Sequence, residues 1–290
     1  MKKLLFIASL TMAMLLPATK AQAESGFIIT DSIRSNILDT TLKYNVFVPG
    51  DFGKSGKLYP VVYLLHGLTD DYMAWREHGL MRIVANKLLR SDEICEMIIV
   101  MPTAGCEDVH GHWNGYFDMP GWQYEEHFFK EFIPEVERKY RGIGDRQHRA
   151  VMGLSMGGGG SVGYAQHHPE CFSCCFAMSP GLENKAGQVG KSGGRNDRFT
   201  LLSKAVNRNS AIDFLDRADE GKLGELREVK WFIDCGDDDY LLELTFRMYM
   251  KMREKDIKCE LRVRDGQHDW EYWHVSLDTA LKFASRNFCK

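Results

Sequence analysis

Arg149-Ala150-Val151-Met152-Gly153-Leu154-Ser155-Met156-Gly157-Gly158 is the stretch that decides the fold. Its first four residues form a short, almost continuous apolar run, as expected of a strand buried on both faces. Residues 157 to 167 carry a helical pattern. Between them, Gly153-Leu154-Ser155-Met156-Gly157 must turn the chain from strand to helix. A Gly-x-Ser-x-Gly pentapeptide alone is common, but in this setting it predicts an elbow that holds Ser155 Oγ clear of the sheet. The two glycines let the backbone turn tightly while neighbouring chains pass close. The helix start adds N–H groups and partial positive charge where an oxyanion would form. The bland alternative is a glycine-rich turn carrying a passive serine.

Outward from this point, similar apolar runs occupy Val61 to Leu65, Met97 to Met101, Cys174 to Met178 and Trp231 to Asp234. Thr41 to Val48 instead alternates, which suits a half-buried strand near the sheet edge. Helical patterns lie between them: Leu80 to Leu89, Glu125 to Tyr140 with a kink expected at Pro134, Leu241 to Lys255, and Tyr272 to Asn287. A last strand is expected over Glu260 to Arg264. This alternation predicts an α/β fold with a mainly parallel central sheet, helices on both faces, and ligands beyond the carboxyl ends of the strands. Residues 182–228, rich in Gly, Lys, Arg, Asn and Asp, break the rhythm and read as an insertion over the site.

Candidate catalytic groups follow the same order. His66-Gly67-Leu68 ends an early strand, where a second oxyanion donor is expected; the backbone N–H groups of Leu68 and Met156 are the candidate pair. His66 lies upstream of the serine and reads as structural. Ile233-Asp234-Cys235-Gly236-Asp237-Asp238-Asp239-Tyr240 offers four aspartates around one turn, and spacing alone leaves Asp239 and Asp237 nearly equal. His268, in Gly266-Gln267-His268-Asp269-Trp270, follows the last strand and completes the order Ser, Asp, His. A satisfied loop histidine is its bland reading, and His274 is the reserve. In the resulting scheme His268 takes the proton of Ser155, Asp239 orients the imidazole, and Leu68 and Met156 bind the oxyanion. This chemistry requires no cofactor and no metal. His110-x-His112 and His167-His168 lack supporting ligands in register, and no cysteine pair has zinc-site spacing.

Lys2 and Lys3, the apolar run Leu4 to Leu16 and the exit Ala21-Gln22-Ala23 read as a signal peptide over residues 1–23. The run is too short to span a bilayer, so no membrane anchor is expected after cleavage. Removal leaves 267 residues, 24–290, sufficient for a single catalytic domain, and moves the formal net charge from −3 to −6. An acidic surface does not favour nucleic acid. The eight cysteines enter an oxidising compartment on this reading, but several sit in apolar runs. Mostly buried thiols are expected, with room for one bridge.

Taken together, His66-Gly67-Leu68, Met101-Pro102, Gly153 to Gly158, Asp234-Cys235-Gly236 with Asp239, and His268-Asp269-Trp270 with Trp273 resemble the esterase D/feruloyl esterase/antigen 85-like branch of the α/β-hydrolases, a carbohydrate esterase family 1-like group. The resemblance spans roughly residues 44 to 288. It implies the α/β-hydrolase fold, and it favours Asp239, the third residue after the glycine of the turn. It also implies a serine esterase acting on acetyl or feruloyl esters of carbohydrates, or on small short-chain esters, and the signal peptide makes it an exported one. Acyl transfer of the mycolyltransferase type is the alternative enzyme. A noncatalytic binding protein on the same scaffold would have a broken triad, whereas all three candidates are present. Trp113, Trp122 and Trp270 are candidate substrate contacts. Trp113 and Trp122, with Tyr116, Phe117 and Tyr124, fit either sugar or aryl stacking or ordinary loop packing.

Overall fold

The computed structural model of the protein describes residues 24–104, 115–184 and 198–288. The expected signal peptide, Trp113, His110, His112, Cys106, Cys289 and residues 185–197 of the insertion lie outside them. Among the described residues, eight strands make one sheet: β1 (Phe27–Ser35), β2 (Thr40–Val48), β3 (Val61–Leu65), β4 (Ile98–Pro102), β5 (Arg149–Leu154), β6 (Cys174–Met178), β7 (Lys230–Gly236) and β8 (Cys259–Arg264). Their spatial order is β1-β2-β4-β3-β5-β6-β7-β8. Pairing is antiparallel between β1 and β2 and between β2 and β4, and parallel from β4 onward. The helices are α1 (Ala74–Glu77), α2 (Met81–Arg90), α3 (Tyr124–His127), α4 (Ile133–Tyr140), α5 (Ser155–His167), α6 (Arg198–Arg208), α7 (Ala211–Arg217), α8 (Glu220–Glu228), α9 (Leu242–Glu254) and α10 (Trp270–Phe288).

The unbroken apolar runs follow from coverage of both faces. Val61, Tyr63 and Leu65 enter one core with Phe128 beside α4 and with Val162 and Tyr164 of α5. Val62 and Leu64 enter the other, with Val84 and Leu88 of α2 and Leu277 and Leu281 of α10. Strand side chains alternate between faces, so a strand covered on both sides needs an apolar residue at every position. The expected mainly parallel α/β architecture is the one observed.

Three local departures have physical causes. β2 lies near the sheet edge as expected, but a strand that was not expected, β1, pairs outside it along its full length. β1 buries only Ile33 and Ser35 and carries little apolar pattern, so nothing in its sequence announces it. The helix expected over 125–140 is interrupted by a π-helical turn, Phe128–Phe132, before α4. Pro134 near the start of α4 has no N–H to return to the preceding turn, and a local change of hydrogen-bond register accommodates the loss. Finally, α5 begins at Ser155 rather than at Gly157.

The start of β5 is anchored by charge. Arg149 Nε and Nη2 donate to the two carboxylate oxygens of Glu137 on α4 at 2.7 and 2.8 Å, and the Tyr63 hydroxyl donates to Glu137 at 3.1 Å. Both partners are buried, so the pair holds only as a satisfied unit. Between β6 and β7, helices α6 to α8 occupy the expected insertion. Asn184 joins it to the strand exit, its N–H donating to Asn207 Oδ1 at 2.7 Å and its side chain to Ser203 Oγ at 3.0 Å. Cys174, Cys175 and Cys235 are buried thiols. No described helix is long and apolar enough to cross a membrane.

Candidate active site

At the junction of β5 and α5, Ser155 has φ +52°. A non-glycine residue adopts this left-handed conformation only when its surroundings impose it. The neighbouring glycines explain the crowding. A Cβ at Gly157 would lie 2.4 Å from the His66 carbonyl oxygen and 2.6 Å from that of Leu65, and one at Gly153 would lie 2.4 Å from the Gly157 carbonyl oxygen. The loop leaving β3 therefore passes directly against the elbow. Leu68 from that loop and Met156 from the elbow line one cavity with Ser155. Met156 sits in the first turn of α5, where N–H groups have no partner within the helix.

Ser155 Oγ is 2.9 Å from His268 Nε2. On the other side of the ring, Nδ1 is 2.8 and 3.0 Å from the two carboxylate oxygens of Asp239. A carboxylate accepts, so Nδ1 carries the proton and Nε2 is left to accept from the serine hydroxyl. The Asp239 side chain is fully buried. Burial alone would raise its pKa, but hydrogen bonds from His268, Ser179 and the Leu241 N–H hold it below the usual carboxylate value.

The other three aspartates have separate partners. Asp237 Oδ1 accepts from Gly266 N–H at 3.0 Å and Asp238 N–H donates to Gly266 O at 3.1 Å, tying the β7 turn to the His268 loop. Asp234 accepts from the Tyr272 hydroxyl at 2.5 Å and from Arg264 at 3.4 Å. His66 is buried, donating from Nδ1 to Gly67 O at 2.7 Å and accepting the Ala104 N–H at Nε2 at 3.0 Å. Burial lowers its pKa to about 4, which keeps it neutral. It is a brace for the loop, with the Tyr116 hydroxyl accepting its N–H at 2.8 Å. His274 Nδ1 donates to Gly79 O, and His167 contacts Glu125. Among the described residues no group of three or more His, Cys, Asp or Glu is placed to hold a metal.

The cavity beside Ser155 measures about 660 Å³. Leu68, Met156, Phe199, Leu202, Val206 and Leu244 give it apolar walls, and Glu183, Asn184 and Arg247 supply polar groups. Glu183 and Arg247 form an ion pair across it. Tyr240, 71% exposed, places its ring 4.5 Å from the His268 ring. Sequence reading missed Tyr240 and the residues from α6 and α9; only Tyr240's position beside the acid offered a signal.

Two candidate substrate contacts are placed elsewhere. Trp122 is buried, stacks on Tyr124 at 5.8 Å and donates its indole N–H to Gly115 O. Tyr116, Phe117 and Tyr124 are buried with it, so the described part of this aromatic stretch is core packing. Trp270 meets Trp75 edge to face at 5.2 Å and is not among the residues lining the cavity. For Trp122 the physical reason is burial of a large indole surface in the core; Trp270 is partly buried, packed against the core beside Trp75 and Trp273.

A family model for the Esterase family matches residues 35–284. An esterase of Mycobacterium tuberculosis is 32% identical over 175 residues, 58% of this chain and 33% of that protein. An endo-1,4-beta-xylanase/feruloyl esterase of Xylanibacter ruminicola is 30% identical over 141 residues, 47% of this chain and 19% of that protein. The matches thus span about a third or less of the length of these curated relatives. A solved structure of a ferulic acid esterase is 45% identical, with a TM-score of 0.87, covering 91% of this chain and 99% of that one.

Proposed function

The chain belongs to the Esterase family, and from that premise we propose that it is an exported serine esterase that hydrolyses feruloyl-type aromatic esters of carbohydrates. The observation that carries this reading is the hydrogen-bonded line from Ser155 Oγ through His268 to Asp239. As Ser155 Oγ attacks the ester carbonyl, His268 Nε2 takes its proton, and the fixed carboxylate of Asp239 stabilises the imidazolium. The Leu68 and Met156 N–H groups face the developing oxyanion. His268 then protonates the leaving alcohol, an acyl-enzyme remains on Ser155, and water activated by the same imidazole releases the acid.

Two features support the aromatic acyl group. The cavity walls are apolar and hold a volume suited to a ring and its linker. The 45% identical structure is of a ferulic acid esterase. Export rests on the character of residues 1–23, and the mature chain, 24–290, acts as one catalytic domain. The mass of the protein recovered from outside the cytoplasm tests this: an N-terminus at Glu24 is expected, and an intact residue 1–23 segment refutes cleavage.

The activity is tested by hydrolysis of methyl ferulate and p-nitrophenyl acetate by wild type and Ser155→Ala. Cleavage of methyl ferulate that disappears in Ser155→Ala is expected. Preference for the acetate would move the substrate to short acyl groups. Inert wild type, or an equally active Ser155→Ala, would overturn the serine-esterase reading.

A further inference from the structure

We propose that Ser179 and Trp273 form a buried clasp that positions both His268 and Asp239. The Trp273 indole N–H donates to Ser179 Oγ at 3.1 Å, and both residues are buried. The same indole meets the His268 ring edge to face, with centroids 4.8 Å apart and planes at 88°. An indole N–H can only donate, so the Ser179 hydroxyl keeps its own proton to give. Asp239 is the carboxylate it serves, beside the bonds from His268 and the Leu241 N–H.

The clasp is held from two directions. Ser179, just past β6, has φ +44°, and its N–H donates to Asp234 O on β7 at 2.7 Å. This sets the hydroxyl near the turn that carries Asp239. Trp273 is backed edge to face by Trp270 at 5.5 Å, and Trp270 by Trp75 at 5.2 Å. The Trp75 indole N–H donates to Leu65 O at 3.0 Å, the last residue of β3 before His66-Gly67-Leu68. The imidazole is thereby referenced to the strand end that supplies the loop beside Ser155. This role for Trp270 accounts for its place in the fold, away from the cavity lining.

The inference rests on His268 and Asp239 acting as base and acid, and the test separates the two ideas. Trp273→Phe keeps a ring and removes the N–H. Ser179→Ala keeps the Cβ, and with it the backbone conformation, and removes the hydroxyl. Ser155, Asp239 and Tyr240 face His268, and the Cys235 thiol, pushed up to about 12 mainly by burial, faces Asp239. None of these groups is altered in the two variants. Each variant is expected to lower kcat by about tenfold, the scale of one misplaced hydrogen bond, with KM for the same ester unchanged. In Ser179→Ala the acid limb of the pH–rate profile should move to higher pH, because a carboxylate relieved of the serine bond attracts the imidazolium more strongly. The double variant should lose no more than either single one. Wild-type kcat and acid limb in Ser179→Ala, or losses that multiply in the double variant, overturn the clasp. If Trp273→Phe does not fold, Ser179→Ala alone decides. Activity retained in Ser155→Ala would instead sink the serine-esterase reading.

Discussion

Ser155 and His268 are 113 residues apart in the chain and 2.9 Å apart in the fold. Asp239 completes the line, and its contribution is separable from that of the serine. Asp239→Asn would keep the shape but present an amide to Nδ1, and an amide that donates there selects the wrong imidazole tautomer. A loss in kcat of roughly 10³- to 10⁴-fold at neutral pH is expected. Steady-state kinetics with methyl ferulate measures it, and a loss below tenfold would remove Asp239 from the role of orienting acid.

Gly157 has no room for a side chain. With a new Cβ 2.4 Å from the His66 carbonyl oxygen, Gly157→Ala must push the β3 exit loop away from the elbow. A stability loss of about 1–3 kcal/mol is expected, together with a fall in kcat that exceeds any change in KM. Denaturant titration and kinetics on one preparation read both; unchanged values would mean that the loop gives way without cost.

The Glu137–Arg149 pair should be far less tolerant of losing one partner than its surface counterparts. Glu137→Ala leaves a buried guanidinium uncompensated and is expected to cost about 3–5 kcal/mol. Arg138→Ala, which breaks only the exposed Glu135 pair, should cost under about 1 kcal/mol. Comparable losses at the two sites would contradict the assignment of Glu137 as a buried anchor.

Asp31 ties β1 to β2 through the Tyr44 hydroxyl at 3.0 Å and to α4 through the Tyr140 hydroxyl at 2.6 Å and Lys139 at 2.5 Å. Burial opposes its ionisation, but these bonds and the Ser32 N–H win and lower its pKa from 3.8 to about 2. Because the folded value is depressed, the stability it lends is fully present above about pH 4 and is lost as pH falls towards 2. After allowance for solvent screening the contribution is about 1 kcal/mol. Thermal midpoints of wild type and Asp31→Asn should differ at pH 5 and converge near pH 2; a gap independent of pH would refute the linkage.

Tyr240 presents a largely exposed ring beside His268 and at the cavity, a position suited, on the proposed feruloyl-carbohydrate substrate, to stacking against the sugar of the leaving alcohol. Tyr240→Ala should raise KM for a feruloylated oligosaccharide about tenfold, the scale of one lost stacking contact, while leaving KM for methyl ferulate nearly unchanged. Equal effects on the two esters would place Tyr240 with the acyl group instead.

Much of this protein is legible from its sequence because strands and helices advertise which faces they bury. Val61 to Leu65, Arg149 to Met152 and Cys174 to Met178 read as strands covered on both sides, since each residue meets a core on one face or the other. The elbow around Ser155 was equally visible, since a strand, two glycines at fixed spacing and a helix are all local features. Chain order then pointed to His268. β1 was not legible, because an edge strand satisfies its backbone against β2 without needing an apolar pattern.

What only the tertiary structure decided are contacts between residues far apart in the chain. Four aspartates in Asp234 to Asp239 are nearly equivalent in sequence, and the placement of β8 beside β7 sets Asp239, rather than Asp237, against His268. Trp122 and Trp270 looked like substrate contacts until packing put one on Tyr124 and the other between Trp75 and Trp273. Ser179 and Tyr240 gained their places beside Asp239 and His268 in the same way. Local sequence encodes how much surface a segment must bury, but which partner it is buried against depends on sheet order and loop closure, and these are settled only when the whole chain packs.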